Sequence, residues 1–307
     1  MKPDFLVRLG MGAVNVGLTL LLAPLAEGIL RKVTARIQSR QGPPLMQPYL
    51  DLLKLLGKED LESGTFPWLQ RLAAALSLAS VLGVALLVPM GGRAPLSGEA
   101  DAISLVYLLT LCGVSTLLGA MAAGSTYSLM GMSREMMCMM TLEPVLGIAV
   151  IVGAVHTGSL RLDTVLAGSV YAGAGVPWAG LVMLGVGLFS LQAFVGRLPF
   201  DVAEAETEIM EGPLVEYSGP KLALFKYAQM AKVVIYAALF VGLFVPWGTG
   251  IYPVDLVLFL GKVLGVTLLV TLVAATHARF RIDQAMRYYL GLMAVSLAAL
   301  VLALWGF

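Results

Sequence analysis

The sequence predicts an all-α integral membrane protein with about eight transmembrane helices, an amphipathic helix after the first and an acidic loop between the fifth and sixth. Only 13% of the 307 residues are charged and 59% are hydrophobic, whereas soluble domains have about 25% charged residues. Apolar runs of membrane-spanning length recur along the chain. Six of the nineteen acids are concentrated in residues 198–219, between two such runs. We expect one polytopic membrane domain over residues 1–307.

Eight apolar runs account for most of the chain. They are residues 9–30, 72–90, 103–123, 128–155, 177–196, 223–247, 254–275 and 288–305. Fourteen of the twenty bases follow the odd-numbered runs, and only four lie on the opposite side. Because loops rich in Lys and Arg stay in the cytoplasm, both termini are predicted outside and residues 198–219 inside. The net charge of +1 gives no reason to expect nucleic-acid binding.

The loop after the first run is predicted to contain a short helix. Pro48 suits a first helical position and Gly57 a helix end. Asp51, Lys54 and Lys58 would form a polar stripe beside an apolar face of leucines. Such a helix lies along a membrane surface or under a partner subunit, and a Gly-Pro-Pro turn and nearby bases favour docking. The bases are Arg31, Lys32, Arg36 and Arg40.

Charged residues also occur inside the predicted spans. A carboxylate at the depth of Glu143 is desolvated, so it can be neutral at rest and exchange a proton. Acids in spans usually mark ion pathways, and the alternative is a glutamate hydrogen-bonded to a neighbouring helix. Lys232 and Lys262 could share this pathway, snorkel, or neutralise an acid permanently. Arg134 and Glu135, in the same span as Glu143, are expected in an internal ion pair.

Residues 198–219, here named the acidic segment, are the default functional site. Asp201 is predicted to cap a helix that carries Glu204, Glu208 and Glu211 on one face and ends at Gly212-Pro213. Like charges on one stripe repel each other. We therefore expect some of these acids to be protonated, or bases to approach them. The candidate bases are Arg36, Arg40 and Arg197.

Closely spaced acids titrate as a coupled set, which is the behaviour that a proton relay needs. The alternative for this segment is a solvated acidic loop. Cys112 and Cys138 are too far apart in sequence to predict a disulfide framework or a zinc site, and we expect them to be small core residues. His156 and His277 are predicted on opposite sides of the membrane, so a shared metal site is not expected.

Five motifs occur in one order along the chain. They are RIQSRQGPP, DLLKLLGKED, the Arg134…Glu143 spacing, PFDVAEAETE…EYSG and RFRIDQAMR. These motifs make the chain resemble the complex I membrane subunit that forms the quinone chamber. The resemblance extends over essentially the whole chain. The chain equally resembles the homologous subunit of membrane-bound NiFe hydrogenases and formate hydrogenlyases. The shortened GPP turn of the first loop and the EGPL sequence before EYSG favour the hydrogenase branch.

The resemblance implies a non-catalytic subunit that couples a docked hydrogenase to ion movement. The predicted proton or coupling residues are Glu143, Asp201, Glu204, Glu206, Glu208, Glu211, Glu216, Lys232 and Lys262. The predicted docking or ion-pairing residues are Arg36, Arg40, Asp51, Lys54, Arg134, Glu135, Arg279, Arg281 and Asp283. No catalytic residue, metal ligand or cofactor is expected in this chain, because iron–sulfur clusters and the NiFe centre are expected in partner subunits.

The resemblance also implies the partners and the location. The partners would be the hydrogenase small and large subunits, an iron–sulfur subunit and antiporter-like membrane subunits, all at the cytoplasmic membrane of a prokaryote. Three alternatives stay open: a quinone-binding subunit, the equivalent subunit of a sulfur-reducing complex, and a free-standing transporter. The transporter is disfavoured because no inverted repeat is visible and the acids cluster in a loop rather than at the membrane midplane.

Overall fold

A computed structural model describes residues 3–62, 66–92, 95–96, 100–172 and 177–306, without the side chains of residues 3–7, 9, 206, 207 and 252. Over this part of the chain the structure is helical, with one isolated β-bridge between Asp101 and Arg161. Eight helices are long and apolar enough to cross a membrane, which confirms the predicted fold class. They are α1 (Pro3–Ile37), α3 (Pro67–Leu87), α4 (Ala102–Ala123), α5 (Thr126–Thr157), α7 (Trp178–Val195), α9 (Gly219–Phe244), α10 (Tyr252–Thr276) and α11 (Ile282–Leu304).

Shorter helices lie between the spans. They are α2 (Gln47–Leu56), α6 (Leu162–Val165), α8 (Glu206–Ile209) and the 3₁₀ turns Ser169–Tyr171 and Gly212–Leu214. Helix boundaries follow local signals. Gly124 ends α4 in the left-handed conformation, with φ of 70°, which glycine adopts without steric strain. The hydroxyl of Ser125 then caps α5 by accepting the amide N–H of Ser128 at 3.2 Å.

Helix α9 lies at the centre of the bundle. In the most apolar 18 residues of α9, 83% of the residues are buried inside the protein. In the corresponding 18 residues of every other span, at most 56% are buried. Helices α1, α2, α3, α7 and α10 all pack against it. Because α9 is enclosed by protein, a polar side chain that it carries faces either another helix or an internal cavity, and not lipid.

Helix α1 continues through a proline, and two tyrosines compensate for the lost hydrogen bond. Pro24 has no N–H to donate to the carbonyl of Leu20. The hydroxyl of Tyr227 in α9 donates to that carbonyl at 2.7 Å. The hydroxyl of Tyr49 in α2 donates to the next carbonyl, that of Leu21. Neighbouring helices thus bond the carbonyl that Pro24 leaves without a donor and the next carbonyl along, so α1 is attached to α2 and α9 at this turn.

Helix α2 has the predicted boundaries, with Pro48 in its first turn and Gly57 after its last residue. Pro48 and Leu52 are buried against the bundle. The predicted leucine face is not covered by this chain, since Leu50, Leu53 and Leu56 are all more than half exposed. Three leucines of α2 are thus left uncovered by the described part of this chain. Whether lipid or a partner covers that face stays a prediction.

Candidate functional site

A cavity of about 800 Å³ lies inside the bundle, between the acidic segment and the middle of the membrane helices. Residues from α1, α4, α5, α7, α9, α10, α11 and the acidic segment line it. Its wall contains five acids and five bases, so its formal charge is balanced. The acids are Glu27, Glu135, Glu143, Asp201 and Glu204, and the bases are Arg31, Arg40, Arg197, Lys226 and Lys232.

Charged residues of α5 and α9 line the cavity among the membrane helices. Glu135 and Glu143 lie on α5 and Lys232 lies on α9, and all three line the cavity. The ammonium of Lys232 interacts electrostatically with both carboxylates and lies 5.8 Å from the ring centroid of Tyr236. Lys232 thus lines the same cavity as Glu143 and interacts with it electrostatically, and a shared pathway stays a prediction. A proton or charge change at one of these groups would act directly on the others.

The first part of the acidic segment also lines the cavity. The carboxylate of Asp201 accepts a hydrogen bond from the guanidinium of Arg279 at 2.9 Å. The amide N–H of Phe280 donates to the carbonyl of Pro199 at 2.9 Å. The ring of Phe200 packs against the rings of Phe280, Tyr288 and Tyr289. Backbone, charge and aromatic contacts together hold this end of the segment on the chain that leads into α11.

Glu204 faces the cavity and accepts a hydrogen bond from the side-chain amide of Gln229 in α9. Burial raises the pKa of the Glu204 carboxyl above the ordinary value of 4.5, and the nearby charge of Lys226 opposes this change. The neutral form of a desolvated carboxyl is favoured over the anion. Within the acidic segment, Glu204 is therefore an acid whose surroundings favour a bound proton.

The later acids of the segment face outward. Glu208 is 49% exposed and pairs with Arg134 at 2.6 Å, whereas the side chain of Asp201 is 21% exposed. Glu211 is 50% exposed and lies 3.9 Å from Lys226, and Glu216 is also exposed. The side chain of Glu206 lies outside the described residues. The acids therefore form two groups with different surroundings.

The prediction of one acidic helix capped by Asp201 is wrong. Only one turn, Glu206–Ile209, is helical, and a 3₁₀ turn follows. The reason is a close backbone contact. Gly212 has φ of 55°, and a Cβ on it would lie 2.1 Å from the carbonyl oxygen of Ala203. The segment folds back on itself at that contact, so its carboxylates point in different directions instead of along one stripe.

The bases near the acids differ in part from the predicted set. Arg197 acts electrostatically on Glu204 as expected, but its ion pair is with Glu27 of α1. The bases that pair with the segment are Arg134, Lys226 and Arg279. Arg134 is in an internal ion pair as predicted, but its partner is Glu208. Glu135 instead lines the cavity.

Lys262 does not share the pathway of Glu143. Its ammonium donates to the carbonyl of Val245 at 2.8 Å and to that of Trp247. These carbonyls follow the end of α9, where a positive charge is favourable. Lys262 is thus a cap for the C-terminal end of α9, and the structure gives no support for a role in the cavity.

The remaining predicted docking residues are spread over the surface. Asp51 accepts from Arg31 at 3.1 Å, and Arg40 lines the cavity. The others are exposed, namely Arg36, Lys54, Arg281 and Asp283. Cys112 and Cys138 are free thiols, and both contribute to the cavity wall. In the part of the chain that the structure describes, no group of His, Cys, Asp and Glu is arranged to hold a metal ion.

Sequence reasoning gave no role to Glu27 and Gln229. Glu27 is only 4% exposed and contacts both Arg31 and Arg197. A glutamate inside an apolar run, four residues before an arginine, was the available signal for Glu27. Gln229 carries no charge, so nothing in the sequence distinguishes it from other polar residues of α9.

The comparisons with known proteins agree with this architecture. The family model described as NADH dehydrogenase matches residues 10–304. Hydrogenase-4 component C of Escherichia coli (strain K12) is 34% identical over 93% of this chain and 92% of the relative. Formate hydrogenlyase subunit 4 of the same strain is 33% identical over 85% of this chain and 88% of the relative.

A solved structure shares the fold. It is a chain of the membrane-bound sulfane sulfur reductase, described as an archaeal respiratory membrane complex. It matches with a TM-score of 0.86 and 25% identity, over 97% of this chain and 99% of the other. The resemblance inferred from the five motifs is confirmed. This chain is a multi-pass membrane protein, and the NADH dehydrogenase family model matches nearly its whole length. The chain belongs to the NADH dehydrogenase family.

Proposed function

We propose that this chain is the membrane-anchoring and coupling subunit of a complex I-like hydrogenase complex. In this proposal the iron–sulfur clusters and the NiFe centre lie in partner subunits, and antiporter-like subunits move the coupled ion. The acidic segment faces the cytoplasm beneath the docked redox module, and both termini face outward, as the distribution of bases indicates. The similarity to hydrogenase-4 component C and formate hydrogenlyase subunit 4 supports the hydrogenase module.

One observation carries the proposal. Asp201 and Glu204 of the acidic segment line the cavity, and Glu143 and Lys232 of the membrane helices line the same cavity. A charge change in a protein docked over the segment would alter the proton affinity of its acids. The cavity then offers a polar route from those acids to Glu143. Connected polar and packed groups of this kind can carry coupling between separate sites.

Replacing Glu143 tests the proposal directly. Glu143→Gln keeps the shape of the side chain but cannot release a proton. We expect membrane vesicles with this variant to evolve hydrogen and to lose most hydrogen-linked proton or sodium movement. Ion uptake and hydrogen production would be measured in the same vesicles. Asp163→Asn, in the exposed pair with Arg161, is the control. Normal ion movement in an assembled Glu143→Gln complex would disprove the role.

A quinone-binding subunit is the second candidate, and the size of the cavity favours it. Small-molecule sites usually have volumes of about 300–1,000 Å³ and mostly apolar walls. This cavity falls within that range and includes apolar residues such as Leu142, Phe194 and Phe200. Inhibition of the purified complex by quinone-site ligands would favour this candidate, and activity that is indifferent to them would favour the hydrogenase proposal.

The docked module could also be a sulfur-reducing one, as the fold shared with the sulfane sulfur reductase complex suggests. The two can be distinguished by isolating the complex through an affinity tag on this chain and identifying its soluble subunits. A NiFe protein among them would support the hydrogenase module. A sulfur-reducing subunit without a NiFe centre in its place would overturn it.

A further inference from the structure

Glu27 of α1 has surroundings that the proposed ion path does not explain. Its side chain is 4% exposed, and a buried carboxylate is unstable as an anion unless bases are close. Two arginines supply this charge. Arg31, one turn later in α1, contacts one carboxylate oxygen at 3.0 Å, and Arg197 contacts the other. One buried acid thus joins two bases that are 166 residues apart in the sequence.

The contacts extend beyond this triad in both directions. Arg31 also donates to Asp51 at 3.1 Å, which lies on the amphipathic helix α2. Arg197 directly precedes the acidic segment, and its neighbours Pro199 and Asp201 are held by Phe280 and Arg279. The network therefore connects α2, α1 and the first residues of the acidic segment.

The network lies at the cavity. Glu27, Arg31 and Arg197 all belong to the cavity wall, together with Asp201 and Glu204. This part of α1 is also fixed by Tyr227 and Tyr49 at the turn around Pro24. These hydrogen bonds attach α1 to α9 and α2 about two turns before Glu27, and so help to fix the carboxylate that contacts Arg197.

We propose that Glu27 is a positioning residue for the coupling path. Its carboxylate holds Arg197, and thereby keeps Asp201 and Glu204 at the cavity wall. Through Arg31 and Asp51 it also ties the segment to α2, so that α2 and the segment move together. This inference rests on the proposed coupling function for its consequence, but the positioning itself is a property of the fold.

Replacing Glu27 should have a larger effect than removing a surface ion pair, because it changes how the start of the acidic segment is held. Without the carboxylate, Arg197 loses the acid that it contacts in α1, and its guanidinium, which is 37% exposed, is free to turn toward solvent. The start of the segment should then open more often to solvent. Local opening of this kind is detected by amide hydrogen exchange, without any need for enzymatic activity.

The test compares Glu27→Gln with the parent in the complete complex, purified in lipid nanodiscs. We expect amide exchange of residues 198–205 to become about tenfold faster. In the parent, local opening of these residues must break the Glu27–Arg197 contact, and the variant lacks that contact. Asp163→Asn is the matched control, since it removes an exposed ion pair elsewhere. Unchanged exchange at residues 198–205 in an assembled Glu27→Gln complex would overturn the inference.

Arg197→Gln breaks the same contact from the other side and leaves α1 intact, so it serves if Glu27→Gln does not assemble. The two changes should be non-additive, with the double variant exchanging no faster than the faster single variant. Additive effects would show that the residues act independently and would contradict the proposal.

A second readout concerns coupling. In vesicles, Glu27→Gln should retain hydrogen production while ion movement per hydrogen falls several-fold, because Asp201 and Glu204 are displaced. Faster exchange with unchanged ion movement would refute the positioning role in coupling. If the parent itself shows no hydrogen-linked ion movement, the proposed function fails, and the exchange measurement still decides whether Glu27 positions the segment.

Discussion

Both halves of the acidic segment carry several acids, but their surroundings differ. In the first half, Asp201 and Glu204 line the cavity and are bonded to Arg279 and Gln229. In the second half, Glu208 and Glu211 are about half exposed. Acids that are close in sequence therefore have different chemistry, because burial and not local density determines how easily a carboxylate ionises.

The largest expected difference between the halves is in ion movement. Glu204→Gln should abolish most hydrogen-linked ion movement in vesicles, because it removes a titratable group from the cavity wall. Glu208→Gln, in the exposed half, should retain it. Ion uptake would be compared at equal amounts of assembled complex. Equal losses in both variants would break the distinction between the two halves.

A smaller effect concerns pH. Because burial raises the pKa of Glu204 above 4.5, the folded protein favours the protonated carboxyl. Stability from this group is therefore greatest at low pH and falls as pH rises from 4.5 through the raised pKa. Infrared titration should show a protonated-carboxyl band above pH 4.5 whose intensity falls in Glu204→Gln by the contribution of one carboxyl. A band that disappears at the pH typical of free glutamic acid would contradict this.

The smallest effect is expected for the ion pair between Glu208 and Arg134. Exposed pairs contribute at most about 1 kcal/mol, and salt screens them. Glu208→Gln should lower the thermal unfolding temperature of the purified complex slightly at low salt and still less at high salt. A large decrease that salt does not reduce would mean that Glu208 belongs with the buried half.

Some elements could be predicted from a few neighbouring residues. The boundaries of α2 follow from Pro48 and Gly57, and Glu143 was identified from its depth in an apolar run. The acidic helix was not predictable, because the contact that prevents it joins Gly212 to the carbonyl of Ala203. Lys262 and Lys232 have similar apolar sequence surroundings, yet one caps α9 and the other faces the cavity.

The sequence alone determined that this is a membrane protein with eight spans, since the transfer of apolar runs into lipid depends on composition and length. It also placed the acids between two spans. Only the tertiary structure decided which acids face the cavity, and that Glu27 meets Arg197 across 170 residues. The physical reason is that charged groups inside a bundle are stabilised by partners from other helices, and packing of the whole chain brings those partners together.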